Sequence, residues 1–153
     1  MLTDLKSDQE AENSESTSPL VSILIPAYNA EEWIAETLRS AVAQTWQRKE
    51  IIVVDDGSID RTVAIARKFE SEQVRVVAND HREAAATRNK AFSLSHGDYI
   101  QYLDADDLLA PDKIERVLAN LLTNALRHTP SDGSVAVRLE QRSGDVVVSV
   151  ERA

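Results

Sequence analysis

Three clusters of polar residues stand out in this sequence, and each follows a short apolar segment. They are Pro26-Ala27-Tyr28-Asn29, Asp55-Asp56-Gly57-Ser58 and Asp104-Ala105-Asp106-Asp107. Carboxylates a few Å apart resist joint ionisation, so such a cluster is favourable only where a cation compensates the charge. Mg²⁺ and Mn²⁺ prefer oxygen ligands and bridge diphosphates, and an aromatic ring such as that of Tyr28 can stack on a base. Together the clusters predict a site for a nucleoside diphosphate and a divalent metal ion.

Taken singly, each cluster also has a simpler structural explanation. The Asp-Asp-Gly-Ser sequence is common in a turn that caps the following helix. Tyr28 alone is typical of a packing residue, and the carboxylates from Asp104 to Asp107 could cap a helix that begins near Pro111. What favours a ligand site is that all three clusters occupy equivalent positions in the predicted fold.

That fold is predicted from the alternation of apolar segments with amphipathic ones. The predicted strands are VSILIPAY, EIIVVDDGS, VRVVAN and DYIQYLDADD, and the helices between them are EEWIAETLRSAVAQTW, DRTVAIARKFE and AAATRNKAFSLSH. This alternation is typical of βαβ units with a parallel sheet, and the run IIVV favours a strand covered on both faces. In such sheets ligands bind beyond the carboxyl ends of the strands. With a strand order of 3-2-1-4, the first and fourth ends would face each other across a crevice.

Two details of the first helix are also predicted. Its apolar stripe consists of Trp33, Ile34, Leu38, Ala41 and Val42. Asn29 followed by Glu32 has the form of a capping box at its start.

The character of the chain changes after Pro111. DKIERVLANLLTNALRH predicts an amphipathic helix, and SVAVRLEQ with DVVVSVE predicts an antiparallel β-hairpin that extends the sheet or covers its edge. The predicted fold class is therefore α/β, a parallel sheet with helices on both faces, followed by a helix and a hairpin. We divide the chain into a disordered acidic tail (1–18), a nucleotide-binding region (19–114) and a helix and hairpin packed on the same domain (115–153).

Composition excludes several classes of function. The net charge of -9 argues against a nucleic-acid partner, which would require a basic face. With no cysteine, disulfides, thiolate metal sites and cysteine nucleophiles are excluded. No apolar run approaches the roughly 20 residues of a membrane span, and no signal peptide is recognisable, so a cytoplasmic protein is expected. The oligomeric state stays open.

Four segments together resemble the donor half of inverting family 2 glycosyltransferases with the GT-A fold. They are PLVSILIPAYNAEEWI, EIIVVDDGSIDRT, ATRNKAF and GDYIQYLDADDLLAPDKI. The resemblance covers about residues 19–114. It implies a Mn²⁺- or Mg²⁺-dependent site for a UDP-, GDP- or dTDP-sugar.

The resemblance also implies roles for individual residues. The base pocket would be lined by Pro26 and Tyr28, and Asp56, with Asp55 as a second candidate, would bind the base. Arg88 would lie near the nucleotide. Asp104 would approach the ribose and Asp106 would hold the metal through the DxD motif.

Two departures from the family pattern stand out. The loop before ATRN reads His81-Arg82-Glu83, where the family usually carries small residues and glycine close to the donor. The general base of the family lies downstream of the DxD motif, and no recognisable base motif follows Asp107. We therefore expect a nucleotide-sugar-binding protein that is truncated or chimeric and poorly active.

The C-terminal segment resembles a different family. RVLANLLTNALRHTPSDGSVAVRLEQRSGDVVVSVE is similar to the N-box region of sensor histidine kinases. That resemblance implies Asn120 and Asn124 as N-box residues, with Asn124 as a magnesium ligand and His128 near phosphate. Because the Asp-x-Gly box and lid are not recognisable, we expect a structural role here. The alternative hypotheses are an ATP-binding fragment and a structural chimera without ligand.

Overall fold

The computed structural model of the chain describes residues 18–81, 83–127, 135–142 and 145–152. Apart from Ser18, the predicted acidic tail lies outside the described residues, as do Arg82 and His128.

Four parallel strands form the central sheet. They are β1 (Val21–Ala27), β2 (Lys49–Asp55), β3 (Val74–Ala78) and β4 (Tyr99–Tyr102). Their order is β3-β2-β1-β4, so the α/β class and the 3-2-1-4 order are both confirmed. Because β1 lies between β2 and β4, the residues that follow these three strands meet at one end of the sheet.

Helices cover both faces of the sheet. They are α1 (Ile34–Val42), α2 (Thr62–Ala66, continued by a 3₁₀ turn at Arg67–Phe69), α3 (Ala84–Leu94) and α4 (Lys113–Arg127). One face of β1 and β2 packs against α1, α2 and α4, and the opposite face packs against α3. Alternate residues of the two strands are therefore buried on opposite faces, which explains their continuous apolar sequence.

The buried face of α1 differs from the predicted apolar stripe. Ile34, Leu38 and Ala41 are buried as expected, but Trp33 and Val42 are 49% and 44% exposed. Polar Thr37 and Gln44 are buried with the apolar residues. Both polar side chains bond the backbone of the loop that follows β4, which a periodicity argument cannot anticipate.

The C-terminal helix is part of the domain core. Ile114 and Leu118 of α4 are 3% and 4% exposed and pack in the same apolar cluster as β1. Asn120 and Asn124 on the same helix are exposed.

The predicted hairpin is present. Strands β5 (Val135–Arg142) and β6 (Asp145–Arg152) pair antiparallel and form a two-stranded sheet of their own. The expectation that the hairpin extends the parallel sheet is therefore wrong. Its packing on an exposed edge stays a prediction.

A carboxylate ties together the amino-terminal ends of the strands. Glu50 accepts hydrogen bonds from the Ser22 hydroxyl at 2.5 Å and from the His96 backbone N–H at 2.6 Å. Burial raises the pKa of Glu50, but these bonds and the His96 ring outweigh it, so the pKa lies below its ordinary 4.5. The folded state thus favours the ionised carboxylate.

The packing of α4 predicts unequal effects for two leucines. Leu118→Ala should lower the free energy of unfolding by about 2–5 kcal/mol, because it opens a cavity in the core. Leu121→Ala is the matched control, because Leu121 is 39% exposed on the same helix. It should change the stability by less than about 1 kcal/mol in urea denaturation. Equal losses would contradict the docking of α4.

The low pKa of Glu50 predicts a pH dependence of stability. Because the folded-state pKa is depressed, its stabilisation is present above about pH 4.5 and is lost as the pH falls through the lower folded value. Glu50→Gln should therefore reduce the loss of stability between about pH 5 and 3, measured by urea denaturation at each pH. Glu36→Gln on α1 is the matched control for the loss of one exposed carboxylate, and it should change the pH dependence of stability less than Glu50→Gln does. A wild-type slope in Glu50→Gln would contradict the assignment.

Candidate functional site

A cleft of about 430 Å³ lies at the carboxyl ends of the strands. It has a size typical of small-molecule sites, and ligands of open α/β sheets bind at this end. The side chains most relevant to its chemistry are Pro26, Tyr28, Trp33, Asp56, His81, Thr87, Arg88, Asp104 and Asp106.

The loops after β1 and β2 form one wall of the cleft by bonding each other. The Asp56 N–H donates to the Ala27 carbonyl at 2.8 Å, and the Asn29 N–H donates to the Ser58 hydroxyl at 2.8 Å. The Asn29 side-chain oxygen accepts from the Ile59 N–H at 3.0 Å. These bonds hold the segment that carries Tyr28.

This arrangement corrects the predicted capping box at Asn29. The Asn29 side chain bonds the neighbouring loop, and the backbone of Asn29 has a φ of 48°. The first turn before α1 starts instead at Ala30, whose carbonyl accepts from the Trp33 and Ile34 N–H groups. Asn tolerates this left-handed conformation better than most residues do.

The two carboxylates of the second cluster have different surroundings. Asp55 is 2% exposed, and its carboxylate accepts from the Ser58 N–H at 2.8 Å and from the Ser58 hydroxyl. Asp56 is 4% exposed and lines the cleft. Of the two candidates for binding a base, the structure therefore brings Asp56 to the cleft and leaves Asp55 in the turn.

Helix α1 holds the loop that carries the third cluster. The Thr37 hydroxyl donates to the Ala105 carbonyl at 2.8 Å, and the Gln44 side-chain amide donates to the Ala110 carbonyl at 2.7 Å. The Ser40 hydroxyl accepts from the Leu109 N–H at 3.1 Å. The loop backbone is thus fixed at both ends by two side chains of α1 and by Gln44, which lies two residues beyond the end of that helix.

Asp104 and Asp106 stand on this loop with their side chains exposed at the cleft. Arg88 of α3 donates to Asp104 at 3.1 Å, so the predicted nucleotide-binding residues of α3 and the third cluster are in contact. In the part of the chain that the structure describes, no three His, Asp or Glu side chains converge as a metal site. The pair Asp104 and Asp106 nevertheless fits Mg²⁺ or Mn²⁺, since Mg²⁺ commonly takes one or two carboxylates and completes its shell with substrate phosphates. Asp106 as metal ligand stays a prediction.

His81 lies in the cleft although sequence reasoning assigned it no contact. Its ring stacks on Tyr28 with the centroids 4.8 Å apart and the planes tilted by 32°. Its Nδ1 atom is 3.1 Å from the Asp56 carboxylate and 3.0 Å from the Asp56 carbonyl oxygen. The departure of this loop from the family pattern was the signal that could have identified it.

The same loop contains a strained residue. Glu83 has φ 144° and ψ 151° at the start of α3, a conformation that is essentially confined to glycine. The Glu83 carbonyl accepts from both the backbone N–H and the hydroxyl of Thr87, each at 3.1 Å. The first turn of α3 is thereby tied to this residue.

A larger cavity, of about 710 Å³, lies at the opposite end of the sheet. The buried Lys49 ammonium there donates to the carbonyls of Gln44 and Trp46, both at 3.0 Å. Burial lowers the pKa of Lys49. The Lys49 side chain thus satisfies backbone carbonyls of the segment that follows α1. The residues that line this cavity do not include the clustered carboxylates and stacked rings of the cleft.

Comparison with known proteins identifies the family. The model for glycosyl transferase family 2 matches residues 22–136, which is more than half of the chain. The chain belongs to this family. An uncharacterized glycosyltransferase of Haemophilus influenzae is 38% identical over 111 residues, which cover 71% of this chain and 44% of that protein.

Solved structures agree with the fold of this family 2 chain. Residues 1–349 of S. aureus TarS in complex with UDP-GlcNAc align with a TM-score of 0.63 and 27% identity, covering 67% of this chain and 31% of that one. The mannosyltransferase PcManGT from Pyrobaculum calidifontis in complex with GDP-Man and Mn²⁺ aligns with a TM-score of 0.58 and 26% identity. That match covers 80% of this chain and 37% of that one. The chain thus spans less than half the length of these relatives.

The family 2 match continues through α4 into β5, and so includes Asn120 and Asn124. The resemblance of this segment to histidine kinases stays a hypothesis. Among the described residues, no helix combines the length and apolar character that crossing a membrane requires.

The strain at Glu83 predicts that a glycine stabilises the domain. Glu83→Gly should relieve about 1–3 kcal/mol of backbone strain and lose about 0.5–1 kcal/mol through chain entropy. We therefore expect the free energy of unfolding to rise by about 1 kcal/mol in urea denaturation. Glu70→Gly is the matched control, because exposed Glu70 has an unstrained φ of -54°. This substitution relieves no strain and should lower the free energy of unfolding through chain entropy alone. If both substitutions lowered the free energy of unfolding equally, the claim that the backbone of Glu83 is strained would be contradicted.

Proposed function

We propose that this chain binds the nucleoside diphosphate part of a nucleotide-sugar donor in the 430 Å³ cleft. The observation that carries the proposal is that the two ends of one cleft differ in chemistry. Tyr28 and the buried Asp56 lie at one end, and Arg88, Asp104 and Asp106 lie at the other. The UDP-GlcNAc complex of TarS and the GDP-Man complex of PcManGT support a donor of this class.

The Tyr28 end suits the base of the donor. An ionised carboxylate only accepts hydrogen bonds, so Asp56 favours a base that presents a ring N–H. Uracil and guanine present such an N–H on their pairing edge, whereas adenine presents a ring nitrogen that is itself an acceptor. The Tyr28 ring offers an apolar face for stacking. We therefore infer a preference for UDP or GDP over ATP.

The Arg88 end suits the diphosphate. Arg88 supplies a positive charge, and Asp104 and Asp106 supply oxygen ligands for a divalent cation beside it. Such a cation neutralises phosphate charge and stabilises a diphosphate leaving group when bound. The complex of PcManGT with GDP-Man and Mn²⁺ supports this part of the proposal.

Transfer of the sugar to an acceptor is a further part of the proposal. It is supported by the family and by the GT-A-like neighbours. A positioned base would remove the acceptor proton in such a reaction. Glu83 is the carboxylate in the segment His81-Arg82-Glu83, which differs from the family pattern. It is not among the residues that line the cleft. The weak activity expected from the sequence stays a prediction, as do the sugar and the acceptor.

Nucleotide and metal binding are tested together by calorimetry. We expect UDP or GDP to bind in the presence of Mn²⁺, and ATP to bind at least about tenfold more weakly because its adenine lacks the ring N–H. Asp106→Ala should reduce the Mn²⁺-dependent gain in affinity by at least about tenfold. ATP bound more tightly than both UDP and GDP would contradict the proposed site.

Asp107→Ala is the matched control for this experiment. Asp107 is exposed on the same loop but does not line the cleft, so its removal should leave the metal dependence intact. Asn124→Ala tests the histidine-kinase alternative. Loss of metal dependence in Asn124→Ala, with Asp106→Ala silent, would move the site to α4.

A further inference from the structure

The base end of the cleft already contains a ring of the protein itself. The His81 imidazole lies against Tyr28 with the ring centroids 4.8 Å apart. Its Nδ1 atom faces two acceptors, the carboxylate of Asp56 at 3.1 Å and the carbonyl of Asp56 at 3.0 Å. Because both partners are acceptors, Nδ1 carries the hydrogen and donates it.

These two contacts are the ones that a nucleobase would make in this position. A planar heteroaromatic ring covers Tyr28, and a ring N–H points at Asp56. The Asp56 side chain is only 6% exposed, so few paths lead to its oxygen atoms. A base that donates to the Asp56 Oδ2 atom and stacks where the imidazole lies on Tyr28 must therefore displace the imidazole.

The backbone determines the position of the ring. Gly57 has φ +76°, and a Cβ atom placed there would lie 2.7 Å from the His81 backbone nitrogen. The loop can approach so closely only because residue 57 is glycine. The Asn79 N–H also donates to the Asp55 carbonyl at 2.9 Å, which anchors the start of the loop on the same turn.

The imidazole is nevertheless able to leave. Its side chain is 59% exposed, and within the described part of the chain the contacts that rotation towards solvent would break are those with Tyr28 and Asp56. Side-chain rotation of this kind needs no movement of the strands or helices.

We propose that His81 is a built-in competitor for the nucleobase, which it mimics in the unliganded protein. This inference rests on the proposed function of the cleft. The contribution of the base to the binding free energy is then the free energy of its own contacts minus that of the imidazole contacts it replaces. The alternative role, in which His81 covers the second face of a bound base, predicts the opposite effect of its removal.

The test compares His81→Ala with the wild-type chain in calorimetric titrations with uridine and with UDP and Mn²⁺. We expect His81→Ala to bind both about 5- to 50-fold more tightly, since a ring contact and a hydrogen bond no longer have to be broken. Pyrophosphate with Mn²⁺ should bind equally to both proteins, which assigns the gain to the base. Unchanged or weaker binding of uridine and UDP by His81→Ala would overturn the inference.

His96→Ala is the matched control, because His96 is also exposed and also pairs with a carboxylate, that of Glu50, at the opposite end of the sheet. It should leave every affinity unchanged, and an equal gain in this variant would overturn the inference.

The free protein supplies a second measurement. The ring protons of His81 should show an upfield NMR shift that Tyr28→Ala removes and that UDP addition reduces in the wild type. Absence of that shift would overturn the competitor role even where UDP binds. If neither the wild type nor His81→Ala bound any nucleotide, the proposed function itself would fail.

Discussion

The shape of the cleft follows from the need to satisfy backbone groups at the carboxyl ends of the strands. Loops there leave the hydrogen-bond ladder of the sheet, and buried N–H and C=O groups require other partners. Side chains supply them: buried Thr62 accepts from the Ala30 N–H at 2.7 Å, and Thr37 donates to the Ala105 carbonyl at 2.8 Å. The loops are therefore bonded to helices and to each other, and this network of hydrogen bonds sets the distances between Tyr28, Asp56 and the loop that carries Asp104 and Asp106.

Backbone with positive φ is concentrated around the same cleft. Among the described residues, positive φ values occur at Asn29, Gly57 and Glu83, and all three lie in loops that border it. Asn and Gly adopt such conformations at small cost, whereas Glu does not. Strain persists only where the surrounding structure fixes it, and it is common at functional sites. The bond from Thr87 to the Glu83 carbonyl is one such constraint, because it secures the start of α3 on the strained residue.

How far the sequence predicts this structure depends on the distance over which each interaction acts. The alternation of strands and helices is local, and it predicts all four parallel strands correctly. The burial of Thr37 and Gln44 in place of Trp33 and Val42 was not predicted, because their partners lie more than 60 residues further along the chain. The His81 contacts were missed because they too are not local, since Asp56 and Tyr28 lie on the loops that follow two other strands. The family resemblance named several residues of the cleft and ranked Asp56 before Asp55, but it did not exclude Asp55, which the structure leaves in the turn.

Two carboxylates of the cleft already have partners within the protein before any ligand arrives. Arg88 pairs with Asp104, and His81 donates to Asp56, so each of these carboxylates has a partner at 3.1 Å. A donated hydrogen bond stabilises the charged form of a carboxylate whether or not the donor itself is charged. A nucleotide and its cation would use these same acceptors, so binding becomes an exchange of partners. The affinity then depends on how far the free energy of the new contacts exceeds that of the contacts they replace. The residues that stabilise the unliganded cleft therefore also limit how tightly it can bind a nucleotide.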